Sequence, residues 1–437
     1  MRTFSTQWIL SLFKYERLYH SLVFFKNVCH YVVINMWLKR KKEIYLDHAA
    51  ATKLAPEVFK AMLPFLREDY GNPSSVHSKG RQAREAVEQA RVRTARVLGV
   101  RPDDVFFTGS GTESNNLAIM GLIQPYIDAG KAGEVSVISS PAEHPSVSEV
   151  FKYLKERGVE VLLAELDKDG LITKESFKAL LNNKTKLVSI VYAASETGVV
   201  QNIRDLSRLV KAFNKENQTN IVFHTDASQA PLWLDCGLEN IGVDMLTLDA
   251  GKCCGPKGVG VLVKRPRASL AAVTHGGSQE NSLRPGTENV AGIIGMATAL
   301  ERAVWGREKC VEKVKNLRDY AIEKLLEIEG VYLNGSSERR LANNINISIP
   351  GIDSEYTTIV LDKAGIACST RSACSGKDGR GSAVVLAMTN EKSRANSTLR
   401  FTLGKENTKK DIDFLVKTLA KHIQETKLFQ TTLKSNN

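Results

Sequence analysis

Short apolar runs alternate with amphipathic stretches along the chain from Glu43 onwards. Between residues 82 and 98, apolar positions recur at helical spacing and stop at Gly99, which predicts a helix that ends there. Short runs that are rich in β-branched residues and bounded by turn residues predict strands. These runs fall at residues 105–107, 135–138, 159–163, 187–192, 221–225, 245–248 and 259–263.

Helical patterns separate many of the predicted strands, and this alternation predicts an α/β fold with a mainly parallel sheet. We therefore expect a large α/β domain at residues 43–300, with ligands bound at the carboxyl ends of its strands. Beyond it, helical patterns at 311–328 and 409–422 enclose strand patterns at 331–333, 344–349 and 399–402. This second part predicts a smaller C-terminal α+β domain at residues 301–437.

Residues 1–42 form a separate extension that is rich in aromatic and basic side chains. Eight Lys and Arg residues against one acid give it seven of the chain's twelve net positive charges. One interpretation is a targeting or membrane-surface segment, because such segments are basic and nearly free of acids. The other is a translation start placed too early, with Met36 as the true start. The second is favoured, because the ordered pattern begins directly after Met36 and its basic run.

The composition is that of an ordinary globular protein, with 43% hydrophobic and 25% charged residues. No uninterrupted apolar run is long enough to span a membrane, so no membrane association is expected. The net charge beyond the extension is modest, so no direct binding to nucleic acid is expected. Seven irregularly spaced cysteines fit neither a disulfide framework nor a paired zinc site. They predict a reducing, cytoplasmic setting without a resident metal, although the extension leaves organellar targeting open.

Lys252 lies in a Gly-rich turn that directly follows a predicted strand, and the acid Asp226 follows an earlier strand. A lysine in this setting suits Schiff-base chemistry, in which the amine holds an aldehyde cofactor and later moves protons. An aspartate near a pyridine nitrogen keeps that nitrogen protonated, and Gln229 lies three residues further on. The Asp226 side chain equally suits the N-cap of a helix.

A second Gly-rich turn, at residues 108–112, joins a predicted strand to a helix expected near Glu113. Its small residues, among them Gly111, let backbone N–H groups approach an anion, and a helix N-terminus favours negative charge. The turn therefore suits a phosphate, although the same sequence also fits a plain turn.

Three further side chains suit catalysis or binding, and each also has a structural explanation. His144 suits stacking on a flat ring or moving a proton, although a lone histidine more often has a purely structural role. Cys374 lies among small polar residues and glycines, which suits a mobile nucleophile as well as a passive surface thiol. Arg400 interrupts an apolar strand pattern, so it needs an anion, either a substrate carboxylate or an internal salt-bridge partner.

These signals occur together in one order, and from about Tyr45 to about His422 the chain resembles the cysteine desulfurases. They are pyridoxal-phosphate enzymes of the class V aminotransferase superfamily. Residues 372–374 and the loop after them resemble the branch that supplies sulfur for iron–sulfur clusters and transfer-RNA thiolation. The other motifs that carry the resemblance lie at residues 45–52, 71–77, 107–119, 275–277 and 284–287.

The resemblance implies a pyridoxal-phosphate-dependent transferase fold, with the mobile Cys loop on the smaller domain. Lys252 would carry pyridoxal 5'-phosphate in Schiff-base linkage, and Asp226 would pair with the nitrogen of its ring. His144 would stack on the ring, where it counts among the catalytic residues, and Gln229 would contact the ring hydroxyl.

The resemblance also implies how phosphate and substrate are held. Gly111 and Thr112 would bind the phosphate, with Thr287 supplied by the other subunit of a homodimer. Arg400 would hold the carboxylate of L-cysteine, and Cys374 would attack the substrate sulfur and keep it as a persulfide, leaving L-alanine. An iron–sulfur scaffold or a transfer-RNA thiolation enzyme would accept that sulfur, and Cys374 would at most ligate a shared cluster transiently.

Four positions depart from the family pattern. Ser195 stands where the family often has Asn, and we expect it to contact cofactor and substrate with a shorter reach. Asp249 and Gly251 stand where Ser and His often touch the phosphate. A carboxylate would repel a phosphate, so we expect Asp249 to point elsewhere or be neutralised, and the cofactor to bind more weakly. Arg371 replaces a common glycine, and its charge is expected to lower the pKa of the Cys374 thiol.

Two other functions remain open on the sequence alone. A selenocysteine lyase or an aminotransferase of the same superfamily would share most of these residues, although transamination needs no thiol. A catalytically weak assembly partner is the other alternative, because of the changes at Ser195, Asp249 and Gly251.

Overall fold

The computed structural model describes residues 43–370 and 381–435, and the chain divides into the units Met1–Ile44 and Tyr45–Asn437. The described strands β1 to β12 are, in chain order, Ile44–Tyr45, Val105–Thr108, Ser136–Ser139, Glu160–Leu163, Thr185–Ser189, Val222–Asp226, Met245–Asp249, Gly260–Lys264, Tyr332–Leu333, Asn344–Ser348, Ile366–Ala367 and Thr398–Thr402. The described α-helices α1 to α13 are Pro56–Arg67, Ser78–Leu98, Gly111–Asp128, Pro145–Glu156, Lys174–Leu180, Ile203–Asn217, Leu238–Ile241, Val290–Trp305, Arg307–Leu326, Ser354–Lys363, Ala383–Thr389, Lys392–Asn396 and Lys409–Ser435.

A seven-stranded sheet forms the centre of the second unit, in the order β2-β8-β7-β6-β5-β3-β4. Each neighbouring pair from β7 to β4 is parallel, whereas β8 runs antiparallel to both β7 and β2. The predicted α/β class with a mainly parallel sheet is therefore confirmed. Because β2, β3, β5, β6 and β7 run in the same direction, the turns that follow them meet at one edge of the sheet.

The large sheet is buried between two apolar layers, because its strands direct alternate side chains to opposite faces. In β2, Phe107 packs into the layer formed with α1, α2 and α8, and Phe106 packs into the layer formed with α3 and α4. In β6, Phe223 and Val222 divide in the same way. Burial on both faces explains why these strands are nearly continuous apolar runs in the sequence.

A smaller antiparallel sheet, in the order β12-β10-β9, comes from the C-terminal part of the chain. Helix α9 contacts β9 and β10, α10 contacts β12, and α13 packs against both helices. These are the α+β elements expected beyond residue 300. Residues 45–437 group as one compact unit, and a domain boundary near residue 300 stays a prediction.

The ends of the helices differ most from the sequence-based expectation. Helix α2 begins at Ser78 because the His77 ring caps it, with Nδ1 accepting from the Gly80 N–H at 3.3 Å. Helix α13 continues to Ser435, well past the expected end near 422, because no Gly or Pro interrupts it. None of the helices within residues 43–370 and 381–435 combines the length and apolarity that crossing a bilayer requires.

Candidate active site

A cavity of about 230 Å³ lies at the carboxyl edge of the large sheet. Its lining comes from the turns after β2, β6 and β7, from the start of α4 and from strand β12. Eight of the ten predicted site residues line it, which are Gly111, Thr112, His144, Ser195, Asp226, Gln229, Lys252 and Arg400.

Lys252 ends a short 3₁₀ turn that directly follows β7. Its Nζ donates a hydrogen bond of 2.6 Å to the carbonyl oxygen of Ala50. The Thr52 hydroxyl ties the same turn to this segment, because it donates to the Gly251 carbonyl at 2.8 Å and accepts from the Cys254 N–H at 2.8 Å. Residues 45–52, recognised in the sequence as a motif without a stated role, therefore hold the lysine turn in place.

A buried hydrogen-bonded chain joins Asp226 to His144. The Asn115 side-chain amide donates to Asp226 Oδ2 and to Ser146 Oγ, both at 2.8 Å, and Ser146 Oγ lies 2.8 Å from His144 Nδ1. After Asp226 the chain turns, with the Ser228 N–H donating to Asp226 Oδ1 at 2.9 Å. The next helix begins only at Leu238, so the alternative that Asp226 caps a helix is wrong.

His144 has a structural role and also lies in the candidate site, so both alternatives left open by the sequence apply to it. It is the N-cap of α4, and its Nδ1 accepts from the Ser146 N–H at 3.2 Å. Burial lowers the pKa of His144, partly offset by the nearby Asp226 carboxylate. The lowered pKa favours the neutral imidazole at pH 7, and the His144 side chain lines the cavity.

Arg400 lies on β12 with only 2% of its side chain exposed. One terminal nitrogen donates to Asp47 Oδ1 at 2.8 Å and the other to the Ser195 carbonyl at 3.1 Å. Its Nε is buried and has no acceptor among the described residues. Arg400 thus forms the internal salt bridge that was one of its two alternatives. It also lines the cavity, where its Nε can donate to a ligand.

Asp249 does not point away from the Gly-rich turn at 108–112. Its Oδ2 accepts from the Gly111 N–H, the first residue of α3, at 2.9 Å, and its Oδ1 accepts from the Gly251 N–H at 2.8 Å. A Cβ added at Gly111 would lie 3.1 Å from the Ser228 Oγ and 3.2 Å from the Asp249 Cβ, so a larger residue there would require these side chains to shift by a few tenths of an ångström. The Asp249 carboxylate therefore lies at the helix N-terminus where the sequence predicts a phosphate.

The smaller sheet supports the loop that carries Ser195. On β10, the Asn346 side-chain amide donates to the Glu196 carbonyl at 3.1 Å, and that of Asn344 lies 3.4 Å from the same oxygen. At Gly198, with a φ of 75°, an added Cβ would lie 2.5 Å from the Asn344 Cβ. Close packing of backbone against β10 fixes the Ser195 carbonyl near Arg400.

Glu143, next to His144, is a buried carboxyl group that sequence analysis missed. Its Oε1 accepts from the Ser140 hydroxyl and from the Val191 N–H, both at 2.8 Å, and its Oε2 has no partner among the described residues. Burial raises the pKa of Glu143 to about 8. The group is thus largely protonated at neutral pH, and it anchors the start of α4 to the strand edge after β5.

The remaining predicted residues have different outcomes. Gln229 lines the cavity, where its amide donates to the Ala49 carbonyl at 3.0 Å. Thr287 is exposed and lies outside this cavity. Cys374 and Arg371 fall outside the described residues. Within the described ranges, no group of three or more His, Cys, Asp or Glu side chains is arranged to hold a metal ion.

Comparison with known families gives a match over most of the chain. The family model Aminotransferase class-V matches residues 44–415. "Cysteine desulfurase IscS" of Dictyoglomus turgidum is 41% identical over 386 residues, which cover 88% of this chain and 95% of that protein. "Cysteine desulfurase IscS 1" of Archaeoglobus fulgidus is 38% identical over 377 residues, covering 86% and 95%.

A solved structure agrees with the sequence relatives. A protein titled "NIFS-LIKE PROTEIN" superposes with a TM-score of 0.80 at 33% sequence identity. The match covers 87% of this chain and 99% of that structure.

Proposed function

The chain belongs to the class-V aminotransferase family, as a cysteine desulfurase, and from that premise we propose how its own residues perform the reaction. The proposed substrate is L-cysteine, the proposed cofactor is pyridoxal 5'-phosphate, and the products are L-alanine and an enzyme persulfide. The observation that carries the proposal is the convergence of eight predicted residues on one cavity.

The cavity fits the ring end of the proposed cofactor. Lys252 lines the cavity and its amine suits bonding to an aldehyde, the buried Asp226 carboxylate suits a protonated ring nitrogen, and the His144 imidazole suits stacking. Gln229 adds an amide for the ring hydroxyl. Bound there, the cofactor would supply an electron sink that lets the C–S bond of cysteine break.

Arg400 is proposed to orient the substrate. Its buried Nε has no acceptor within residues 43–370 and 381–435, and a carboxylate binds a guanidinium through two parallel hydrogen bonds. Ser195 lies beside it with its carbonyl already held, which leaves the hydroxyl of Ser195 to contact cofactor and substrate. Lys252 Nζ would then move the proton that the substrate carbon loses and later regains.

Cys374 is proposed to take the sulfur. Its Sγ would form the S–S bond while the C–S bond breaks, and the electron pair would remain with the carbon that becomes alanine. The described cysteines are Cys236, Cys253, Cys254, Cys310 and Cys368. Burial raises the pKa of each of these thiols, and a raised pKa disfavours the thiolate that attack requires. Arg371, next to the Cys374 loop, would favour the Cys374 thiolate.

A homodimer is proposed because the site opens onto a partly apolar surface. A wider cavity of about 590 Å³ shares Thr112 and His144 with the site and is also lined by the exposed side chains of Tyr153 and Val273. A second copy would cover these side chains and bring its Thr287 to the phosphate end. The sulfur acceptor is proposed to be an iron–sulfur scaffold or a transfer-RNA thiolation enzyme, in a reducing, cytoplasmic compartment.

The test measures alanine and sulfide formed from L-cysteine in the presence of a thiol reductant. We expect equal amounts of both products from the wild type. Replacement Cys374→Ala should abolish sulfide release while the absorbance of bound cofactor persists. Undiminished sulfide release by Cys374→Ala would contradict the proposed role of this thiol.

A further inference from the structure

Asp249 connects the two turns that would hold the two ends of the cofactor. Its carboxylate accepts one backbone N–H from Gly251, in the turn that positions Lys252, and one from Gly111, at the start of α3. Both oxygens are therefore engaged by amides, at 2.9 Å and 2.8 Å. The side chain lines the same cavity as Lys252.

Two features suit this cavity to a ligand with more than one negative group, and one of them is the start of α3. Helix α3 is 18 residues long, and its first N–H groups and its dipole favour negative charge. The cavity beside it also contains the buried Arg400, whose Nε has no acceptor among the described residues. The site is therefore built for a ligand that carries negative groups.

The first-turn amides of α3 are already partly used. Asp249 accepts from the Gly111 N–H, and the Ser110 hydroxyl accepts from the Glu113 N–H at 3.1 Å. Among the residues that the structure describes, none accepts from the N–H of Thr112, which is exposed and lines the cavity. A phosphate could thus reach the Thr112 amide directly, but it would meet the Asp249 carboxylate at the Gly111 amide.

We propose that Asp249 is a tethered anion that competes with the cofactor phosphate for the Gly111 amide. It thereby sets how strongly this protein distinguishes pyridoxal phosphate from unphosphorylated pyridoxal. This inference rests on the proposed cofactor. A phosphate and a carboxylate repel at contact distance, so binding requires Asp249 to move or to lose its charge. The aldehyde ring itself is unaffected, because pyridoxal places no anion at α3.

The experiment titrates the cofactor-free full chain with pyridoxal phosphate and, separately, with pyridoxal, using isothermal titration calorimetry. The variant Asp249→Asn keeps the shape and an oxygen for the Gly111 amide but removes the charge. Asp167→Asn is the matched control, because the Asp167 carboxylate also accepts two loop amides, from Asp169 and Leu171, both at 2.9 Å, outside the cavity. Thermal melting of each variant reports its folding, and Asp249→Ser repeats the comparison should Asp249→Asn fail to fold.

We expect Asp249→Asn to bind pyridoxal phosphate at least tenfold more tightly than the wild type, equivalent to about 1.4 kcal/mol. Its affinity for pyridoxal should change less than twofold, and Asp167→Asn should change neither. An unchanged ratio of the two affinities in a folded Asp249 variant would overturn this inference and leave the proposed cofactor standing. Failure of both aldehydes to bind any of the proteins would overturn the proposed cofactor as well.

Discussion

Replacing Arg400 by glutamine tests how the site holds its substrate. The change removes a buried guanidinium that donates to Asp47 and to the Ser195 carbonyl. In the part of the chain that the structure describes, its Nε has no acceptor. Glutamine keeps hydrogen-bonding capacity but cannot present two parallel charged donors to a carboxylate. The variant therefore separates recognition of the substrate carboxylate from the chemistry at Lys252.

The expected magnitude follows from the contacts that are lost. A hydrogen bond to a charged group contributes about 1.5–3 kcal/mol, so loss of a two-bond contact to the substrate carboxylate costs about 3 kcal/mol or more. At about 1.4 kcal/mol per factor of ten, kcat/KM for L-cysteine should fall by about 10² or more. Because Asp47 is left without its partner, the free energy of unfolding should also fall, by about 1–3 kcal/mol.

The assay measures alanine formation against the concentration of L-cysteine, together with the absorbance of bound cofactor. Arg400→Gln should raise KM and keep the cofactor absorbance. With cysteamine, which lacks the carboxylate and cannot give alanine, sulfide release is measured instead, and wild type and variant should release it at similar rates. Asp47→Asn serves as the control, because it removes the charge of the internal partner and leaves the Arg400 charge in place. An equal loss by Arg400→Gln with cysteamine and with L-cysteine would refute the reasoning.

The remaining predictions concern the thiol, a buried acid and a tight glycine. Arg371→Gly should shift the alkylation profile of Cys374 to higher pH, measured as alkylation rate against pH, and an unchanged profile would contradict a charge effect. For Glu143, the folded-state pKa of about 8 lies above the ordinary value of 4.5, so its stability contribution is complete below pH 4.5 and is lost as pH rises to about 8. In urea titrations, the free energy of unfolding of Glu143→Gln should therefore fall less between pH 5 and pH 8 than that of the wild type. Equal falls in the two proteins would contradict the raised pKa of Glu143. In the same titrations, Gly198→Ala should lower the free energy of unfolding by about 1–3 kcal/mol. Gly133→Ala should leave it nearly unchanged, because no atom lies within 4 Å of the added Cβ. Equal effects of the two substitutions would rule out the steric explanation.

Much of the fold could be predicted because its strands are buried on both faces. Their apolar runs and the helices between them are visible in the sequence, and the mainly parallel sheet follows from that alternation. Helix ends were less predictable, because they depend on local capping such as that by His77. Gly111, Thr112 and Lys252 could be named because they start a helix or follow a strand at one edge of the sheet. Arg400 was named instead because its charge interrupts an apolar strand pattern, and it lies within β12 of the smaller sheet.

The contacts that support these residues could not be predicted from spacing. Asp47 and Arg400 are 353 positions apart, and only folding shows that they pair. The chain from Asn115 through Ser146 similarly joins segments on two different helices. Asp249 was expected to point away from the phosphate turn or to be neutralised, and the first alternative is wrong. The Gly111 amide at the helix N-terminus and the Gly251 amide in the turn that contains Lys252 both donate to its carboxylate. Such hydrogen bonds are settled by tertiary packing, which sequence periodicity does not encode.

The most direct test of the central claim asks which lysine holds the cofactor. The purified protein is treated with borohydride, which makes the link between the cofactor aldehyde and an amine permanent, and its peptides are then analysed by mass spectrometry. We predict a phosphopyridoxyl group on Lys252 and none on neighbouring Lys257, whose amine donates to the Thr52 carbonyl at 3.0 Å. Labelling of Lys257 instead, or labelling that persists in Lys252→Ala, would contradict the account.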